Sequence, residues 1–108
     1  MAVRVLADAR DDLRDAAAYY RAIPPPRVGR QLAARVVRAF NLALAGIAAM
    51  PLSRQEHPDL PGVRWVQLPT LPYLAFYLVD GADVVVLAVE HDASDYAARV
   101  QRRAAAVP

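Results

Sequence analysis

Residues 84–89 form the run Val-Val-Val-Leu-Ala-Val, which lies between Asp83 and Glu90 and contains no polar side chain. Valine is β-branched and favours the extended conformation of a strand, where its stiff side chain packs well. Because successive side chains of a strand point to opposite faces, an uninterrupted apolar strand needs cover on both of them. The run therefore predicts a strand that is central in its sheet or covered on both faces.

Two further strands precede this run along the chain. Residues Tyr73–Val79 are aromatic and apolar, and Asp80-Gly81 after them is a turn signal within a slightly longer loop. Residues Val63–Leu68 alternate in character, as a half-buried strand does. Pro69 and Pro72 lie between these two strands, where no backbone N–H is needed for pairing. The second half of the chain therefore predicts three strands that are mostly antiparallel.

The spacing of the apolar residues changes near the N-terminus. A short strand over Ala2–Leu6 is followed by apolar residues at helical spacing, which predicts a first helix. Asp8 is the expected N-cap of this helix, and Pro24–Pro26 end it. Its apolar face contains Leu13, Ala16, Ala17, Tyr20 and Ile23.

A second helix is predicted from about Pro26 to Met50 by the clearest amphipathic pattern in the chain. Its apolar side contains Val28, Leu32, Val36, Phe40, Leu44 and Ile47, and its opposite side contains Arg27, Arg30, Arg35, Arg38 and Asn41. Because few residues join the two helices, we expect them to form an antiparallel hairpin. Residues Leu52–Gly62 are a polar, proline-rich loop, and Ser94–Ala106 form a short C-terminal helix.

These elements predict one α+β domain over residues 1–108. The order is β-α-α-β-β-β plus a short C-terminal helix, with a core over residues 1–92 and a helix or tail over residues 93–108. The expected architecture has two layers, in which the helical hairpin packs on one face of a mostly antiparallel four-stranded sheet.

Composition narrows the class of protein. Cysteine is absent from the 108 residues, which excludes disulfides and thiolate metal sites, and we predict neither a metal nor a cofactor. All 13 basic residues are arginine, and the net charge is +2. The N-terminus lacks the apolar core of a signal peptide, and no apolar run approaches the roughly 20 residues of a membrane helix. We therefore expect a cytoplasmic protein with no membrane association.

Four segments, in this order, resemble the ParE/RelE toxin superfamily, also described as plasmid-stabilisation proteins. They are ADARDDLRDAAAYYR (residues 7–21), the helix end from Ile47 to Pro51, PGVRWVQLP (residues 61–69) and PYLAFYLVDGADVVVLAVEHD (residues 72–92). The resemblance spans Val3 to Asp92. It implies the toxin of a type II toxin–antitoxin pair, neutralised by a cognate antitoxin that itself binds operator DNA.

The resemblance leaves two activities open. RelE-like members cleave messenger RNA on the ribosome, and ParE-like members inhibit DNA gyrase without being enzymes in the usual sense. If the protein is a ribonuclease, its catalytic candidates are Arg64, His91 and Tyr96, because the reaction needs proton transfer and cations for the phosphate. The middle strands carry few cations, and the chain after the last strand is acidic. That favours the ParE-like activity, with a non-toxic binding module as a third hypothesis.

The remaining arginines suggest a surface for a protein partner. The candidate partner-binding residues are Arg27, Arg30, Arg35 and Arg38 on the second helix and Arg99, Arg102 and Arg103 near the C-terminus. An acidic antitoxin or a nucleic acid would suit the four arginines of the second helix. The alternative is that these arginines form a solvated helix face. We expect His57 in the proline-rich loop to be solvated, and a structural role for Tyr19 and Tyr20.

Overall fold

A computed structural model describes residues 2–108 and has the predicted order of elements. They are β1 (Val3–Val5), α1 (Ala7–Arg21), α2 (Pro26–Ala49), β2 (Arg64–Gln67), β3 (Tyr73–Asp80), β4 (Asp83–His91) and α3 (Ala97–Ala105). The strands form one sheet in the order β1-β4-β3-β2. β1 runs parallel to β4, and the other two pairings are antiparallel. The α+β fold predicted from the sequence is confirmed.

Strand β4 lies inside the sheet and is buried on both faces, as its composition requires. Val84 and Val86 face the cluster that α1 and α2 cover, whereas Val85 and Leu87 face a second cluster on the other side. Helix α3 closes that second cluster, and its Val100 is fully buried there. The C-terminal segment is therefore a packed helix that partly covers the second face, which the two-layer expectation did not include.

A register shift in the β3–β4 pairing changes which side chains of β4 face α3. Phe76 pairs with Ala88, but the next residue, Tyr77, pairs with Val86, so Leu87 is the extra residue of a bulge. As a result Leu87 and Ala88 both lie in the cluster beside α3, while Val86 and Val89 lie on the other side. Strict alternation along the strand does not predict this arrangement.

Helix α1 begins at Ala7, two residues earlier than the sequence predicted. Leu6 is the N-cap residue in extended conformation, and its N–H donates to the carbonyl oxygen of Val86 at 3.0 Å. The predicted N-cap, Asp8, is in the first turn instead. The assignment of Asp8 as the N-cap is wrong because sheet pairing holds Leu6 extended up to the start of the helix.

Helix α2, with 24 residues, is long and apolar enough to cross a membrane by length and composition alone. Its apolar residues are interrupted by Arg27, Arg30, Arg35, Arg38 and Asn41, so no uninterrupted apolar run approaches the roughly 20 residues of a membrane helix. In the fold, however, Val36, Phe40 and Ile47 bury one face of α2 against α1 and the sheet. Its position is that of a core helix in a globular domain.

Gly29 allows the start of α2 to approach the end of α1. A Cβ at this position would lie 2.7 Å from the carbonyl oxygen of Ile23 and closer still to that of Arg21. At Gly46, near the other end of the same helix, a Cβ would meet no atom within 4 Å. One helix therefore contains a glycine that the hairpin requires and a glycine that it does not.

The same substitution at these two positions should have opposite effects on stability. Gly29→Ala forces two backbone segments apart and should lower the free energy of unfolding by about 1–3 kcal/mol. Gly46→Ala should raise it by roughly 0.5–1 kcal/mol, because alanine is the better helix former. Urea denaturation of both variants measures the difference, and a neutral Gly29→Ala would show that the hairpin is not closely packed at this point.

Candidate functional site

The structure separates two of the three candidate catalytic residues within the sheet. Arg64 is the first residue of β2 and pairs with Tyr77, whereas His91 is the last residue of β4 and pairs with Tyr73. The two positions differ by four residues along β3, roughly 13 Å, and by two strand spacings, roughly 10 Å. Arg64 instead donates a hydrogen bond to the carbonyl oxygen of Arg54 in the preceding loop.

Tyr96, the third candidate, lies on the other face of the sheet. Its ring packs on Phe76 at a centroid distance of 4.7 Å, within the cluster beside α3. Its hydroxyl oxygen is 3.0 Å from Nε2 of His57. The sheet therefore stands between Tyr96 and the side of Arg64 and His91.

His57 is a structural residue, and the prediction that it is simply solvated is wrong. Its Nδ1 accepts the backbone N–H of Asp59 at 3.1 Å, which leaves Nε2 of the neutral ring to donate to Tyr96. The ring also packs near Phe76, at a centroid distance of 6.0 Å. Through these contacts His57 fixes the loop before β2 over the second face of the sheet.

His91 lies beside an open hollow with an acidic lining. The lining includes Asp12, Asp15, Tyr19, Tyr73, Glu90 and Ser94. Nδ1 of His91 accepts the N–H of Ala93 at 3.0 Å and lies 3.4 Å from a carboxylate oxygen of Asp92. Burial, with smaller contributions from Tyr20 and Tyr19, raises the pKa of Tyr73 above its ordinary value, so this phenol keeps its proton at neutral pH. Because Asp12 and Glu90 are paired with arginines, Asp15 and Asp92 are the carboxylates that disfavour a phosphate group beside His91.

Two of the three C-terminal arginines are engaged within the protein. Arg99 donates two hydrogen bonds, of 2.8 and 3.1 Å, to the nearly buried carboxylate of Glu90, and this pairing raises the pKa of Arg99. Arg103 binds Asp12 at 2.6 Å, with the hydrogen bond as the main cause of its raised pKa. Arg102 remains exposed. The structure thus gives Arg99 and Arg103 an internal structural role, and their contact with a partner stays a prediction.

The carboxylate of Asp12 joins three elements and was not identified from the sequence. It accepts the backbone N–H of Val89 on β4 at 3.0 Å and the guanidinium of Arg103 on α3, while Asp12 itself belongs to α1. Arg103 also donates to the carbonyl oxygen of Leu87 at 3.0 Å. One feature of the sequence indicates this role. Asp12 lies three residues after Ala9 and four before Ala16, so it borders the apolar face of α1.

The four arginines of α2 are all exposed, as the amphipathic pattern predicted. They are Arg27, Arg30, Arg35 and Arg38. Arg35 donates to the hydroxyl of Thr70 at 2.7 Å. Within residues 2–108, no ion pair involves any of the four.

Comparison with known proteins identifies the family. The model for the ParE toxin of type II toxin–antitoxin systems matches residues 3–96. The chain belongs to the ParE toxin family. A solved structure of the chromosomal ParDE toxin–antitoxin system from P. aeruginosa shares the ParE fold, with a TM-score of 0.72 and 21% identity over 84% of this chain and 95% of that one. No curated protein matches the sequence significantly. The region matched by the ParE family ends at Tyr96, just before α3.

Removing the Asp12 carboxylate should destabilise this ParE-family fold. Asp12→Ala leaves the guanidinium of Arg103 and the N–H of Val89 without their shared acceptor, at a cost of about 2–4 kcal/mol. Asp11→Ala is the matched control, because it removes only the exposed pair with Arg14 and should cost at most about 1 kcal/mol. Chemical denaturation measures both values, and equal losses would contradict the role given to Asp12.

Proposed function

We propose that this ParE-family protein is a toxin that inhibits DNA gyrase by binding to it and is neutralised by a cognate antitoxin. The observation that carries the proposal is that Arg64, His91 and Tyr96 do not converge in a chain of the ParE family. The target follows from the ParE-like resemblance, and the antitoxin follows from the pairing that defines the family. The site of action is then the cytoplasm, where gyrase works.

The separation of the three candidates argues against RNA cleavage. Attack by a ribose hydroxyl needs a base, an acid and a cation around one phosphate, all within hydrogen-bond reach. Here Arg64 and His91 lie far apart in the sheet, and Tyr96 lies on the opposite face of it. Asp15 and Asp92 lie near His91 and have no arginine partner within residues 2–108, and their charge would disfavour the phosphate that the reaction has to hold.

An inhibitor that acts by binding needs no such convergence. It needs a stable domain with exposed surface, and α2 supplies a continuous exposed helix face. Contact with operator DNA is assigned to the antitoxin, as the resemblance to the toxin superfamily implies. The ribosome-dependent ribonuclease remains the alternative activity, and a non-toxic binding module with the same fold is the second alternative.

Inducible expression in a bacterial host tests the proposal. The wild-type protein and the Arg64→Ala/His91→Ala variant should both arrest growth, with filamentous cells and intact transcripts, because neither residue acts on RNA. Co-expression of the product of the adjacent small reading frame should restore growth. Tyr96 is left unchanged, since its hydrogen bond with His57 supports the fold.

The alternatives give different outcomes in the same experiment. Arrest with transcripts cut inside reading frames, abolished in the double variant, would establish the ribonuclease. Unimpaired growth at high levels of soluble wild-type protein would leave the non-toxic binding module. A circular-dichroism melt of the double variant serves as the control that it is folded.

A further inference from the structure

The ion pairs of the protein leave the helical hairpin with unneutralised positive charge. They join α1 to itself and to α3, β1 to β3, and β4 to α3. Within residues 2–108, none of them involves Arg21 or any arginine of α2. No acidic residue occurs between Asp15 and Glu56 along the chain, a stretch that contains six arginines. The end of α1 and the whole of α2 are therefore cationic.

The four arginines of α2 share the solvent-facing side of the helix. At 100° per residue they lie within an arc of about 140°, whose centre is opposite the buried Val36 and Ile47. Arg27 and Arg38 are about 20° apart around the axis and about 16 Å apart along it. The exposed residues that share this arc are Gln31, Ala34 and Asn41. We call the exposed side of α2 from Arg27 to Arg38 the basic face.

The charge of the basic face opposes the local stability of the helix. Arg27 and Arg30 are close to the N-terminus of α2, which has no acidic residue in its first turn. That terminus is the positive end of the helix dipole, where arginine is unfavourable. Arg35 donates only to the neutral hydroxyl of Thr70, so its charge is not compensated either. A charge pattern that weakens its own helix is expected where the residues serve a partner.

We propose that the basic face of α2 binds the phosphate backbone of double-stranded DNA. Its length matches about five phosphates of one strand, which follow one another every 3.4 Å along the duplex axis. Arginine and amide side chains are groups that contact phosphates, and such contacts position a protein without reading the base sequence. The proposed contact is therefore independent of the operator sequence. The choice of DNA rests on the proposed function, because a toxin bound to gyrase lies close to the duplex on which gyrase acts.

The side chains of the basic face favour duplex DNA over three other occupants. Single-stranded nucleic acid needs aromatic rings for base stacking, but the only aromatic residue of α2 is Phe40, which is buried. A protein partner needs an apolar centre for its interface, and the only apolar side chain among the arginines is that of Ala34. A second copy docked through the same face would bring arginines against arginines.

Fluorescence anisotropy with a short labelled DNA duplex of arbitrary sequence tests the proposal on the full-length protein. For the wild type, the logarithm of the binding constant should fall with the logarithm of salt concentration with a slope of about −3 to −4, because four arginines release counterions. Arg27→Gln/Arg38→Gln should make this slope less steep by about 2 and lower the affinity at least 10-fold at about 50 mM salt.

The matched control removes two positive charges elsewhere. Arg10 and Arg54 are exposed and form no ion pair within residues 2–108. Arg10→Gln/Arg54→Gln should leave the affinity within about 3-fold, because these residues lie outside the basic face. Equal losses in the two double variants would show that net charge alone attracts the DNA, and the proposal would be overturned. Circular-dichroism melts establish that both variants are folded.

Other results would assign the basic face to a different partner. If the wild type does not bind the duplex at about 50 mM salt, where electrostatic binding is strong, the proposal is wrong. It is also wrong if a duplex RNA of the same length binds at least 10-fold more tightly than the DNA. If Arg27→Gln/Arg38→Gln keeps its affinity for DNA but loses binding to gyrase in the absence of DNA, the face contacts the protein.

The failure of this inference and the failure of the proposed function are distinguishable. If the duplex is bound as expected but the supercoiling activity of gyrase is unchanged, the proposed function fails and the DNA-binding face stands. If the wild type and Arg27→Gln/Arg38→Gln inhibit supercoiling equally and neither binds the duplex, the function stands and the DNA-binding face is wrong.

Discussion

A strand without a polar side chain from Val84 to Val89 has to be removed from water on both faces, and the rest of the fold follows from this requirement. β1 and β3 pair with its two edges, α1 covers one face, and α3 covers part of the other. Helix α2 packs chiefly beside α1 and the same face of the sheet. Since α2 is the outer member of its hairpin, one of its faces remains available to a partner.

Covering the second face depends on polar contacts as well as apolar ones. Helix α3 is short, and a single fully buried side chain, Val100, holds it to the sheet. Arg103 and Arg99 add ion pairs with Asp12 and Glu90, which lie on α1 and β4. These pairs require defined geometry, so they fix where the helix sits as well as how strongly it is held. Within residues 2–108 the arginines of α2 have no comparable ion-pair partner.

The elements that sequence analysis predicted best are those with strong local patterns. The helical hairpin and the strand at Val84–Val89 follow from apolar spacing, which requires no knowledge of distant residues. The errors involve contacts across the chain. Asp8 is not the N-cap because Leu6 pairs with Val86, and His57 is not simply solvated because it meets Tyr96, 39 positions away. The bulge at Leu87 and the pairing of Asp12 with Arg103 depend likewise on register and long-range packing.

The same limit applies to the candidate catalytic residues. Sequence places Arg64 on a strand and His91 just after one. Only the register shows how far apart they lie in the sheet, and only the packing of α3 places Tyr96 on the opposite face. The most direct test of inhibition by binding is the supercoiling activity of purified gyrase in the presence of this protein. The account predicts that supercoiling falls as the toxin is added and recovers when the antitoxin is supplied. Unchanged supercoiling at a large molar excess of folded protein that still arrests cell growth would contradict it.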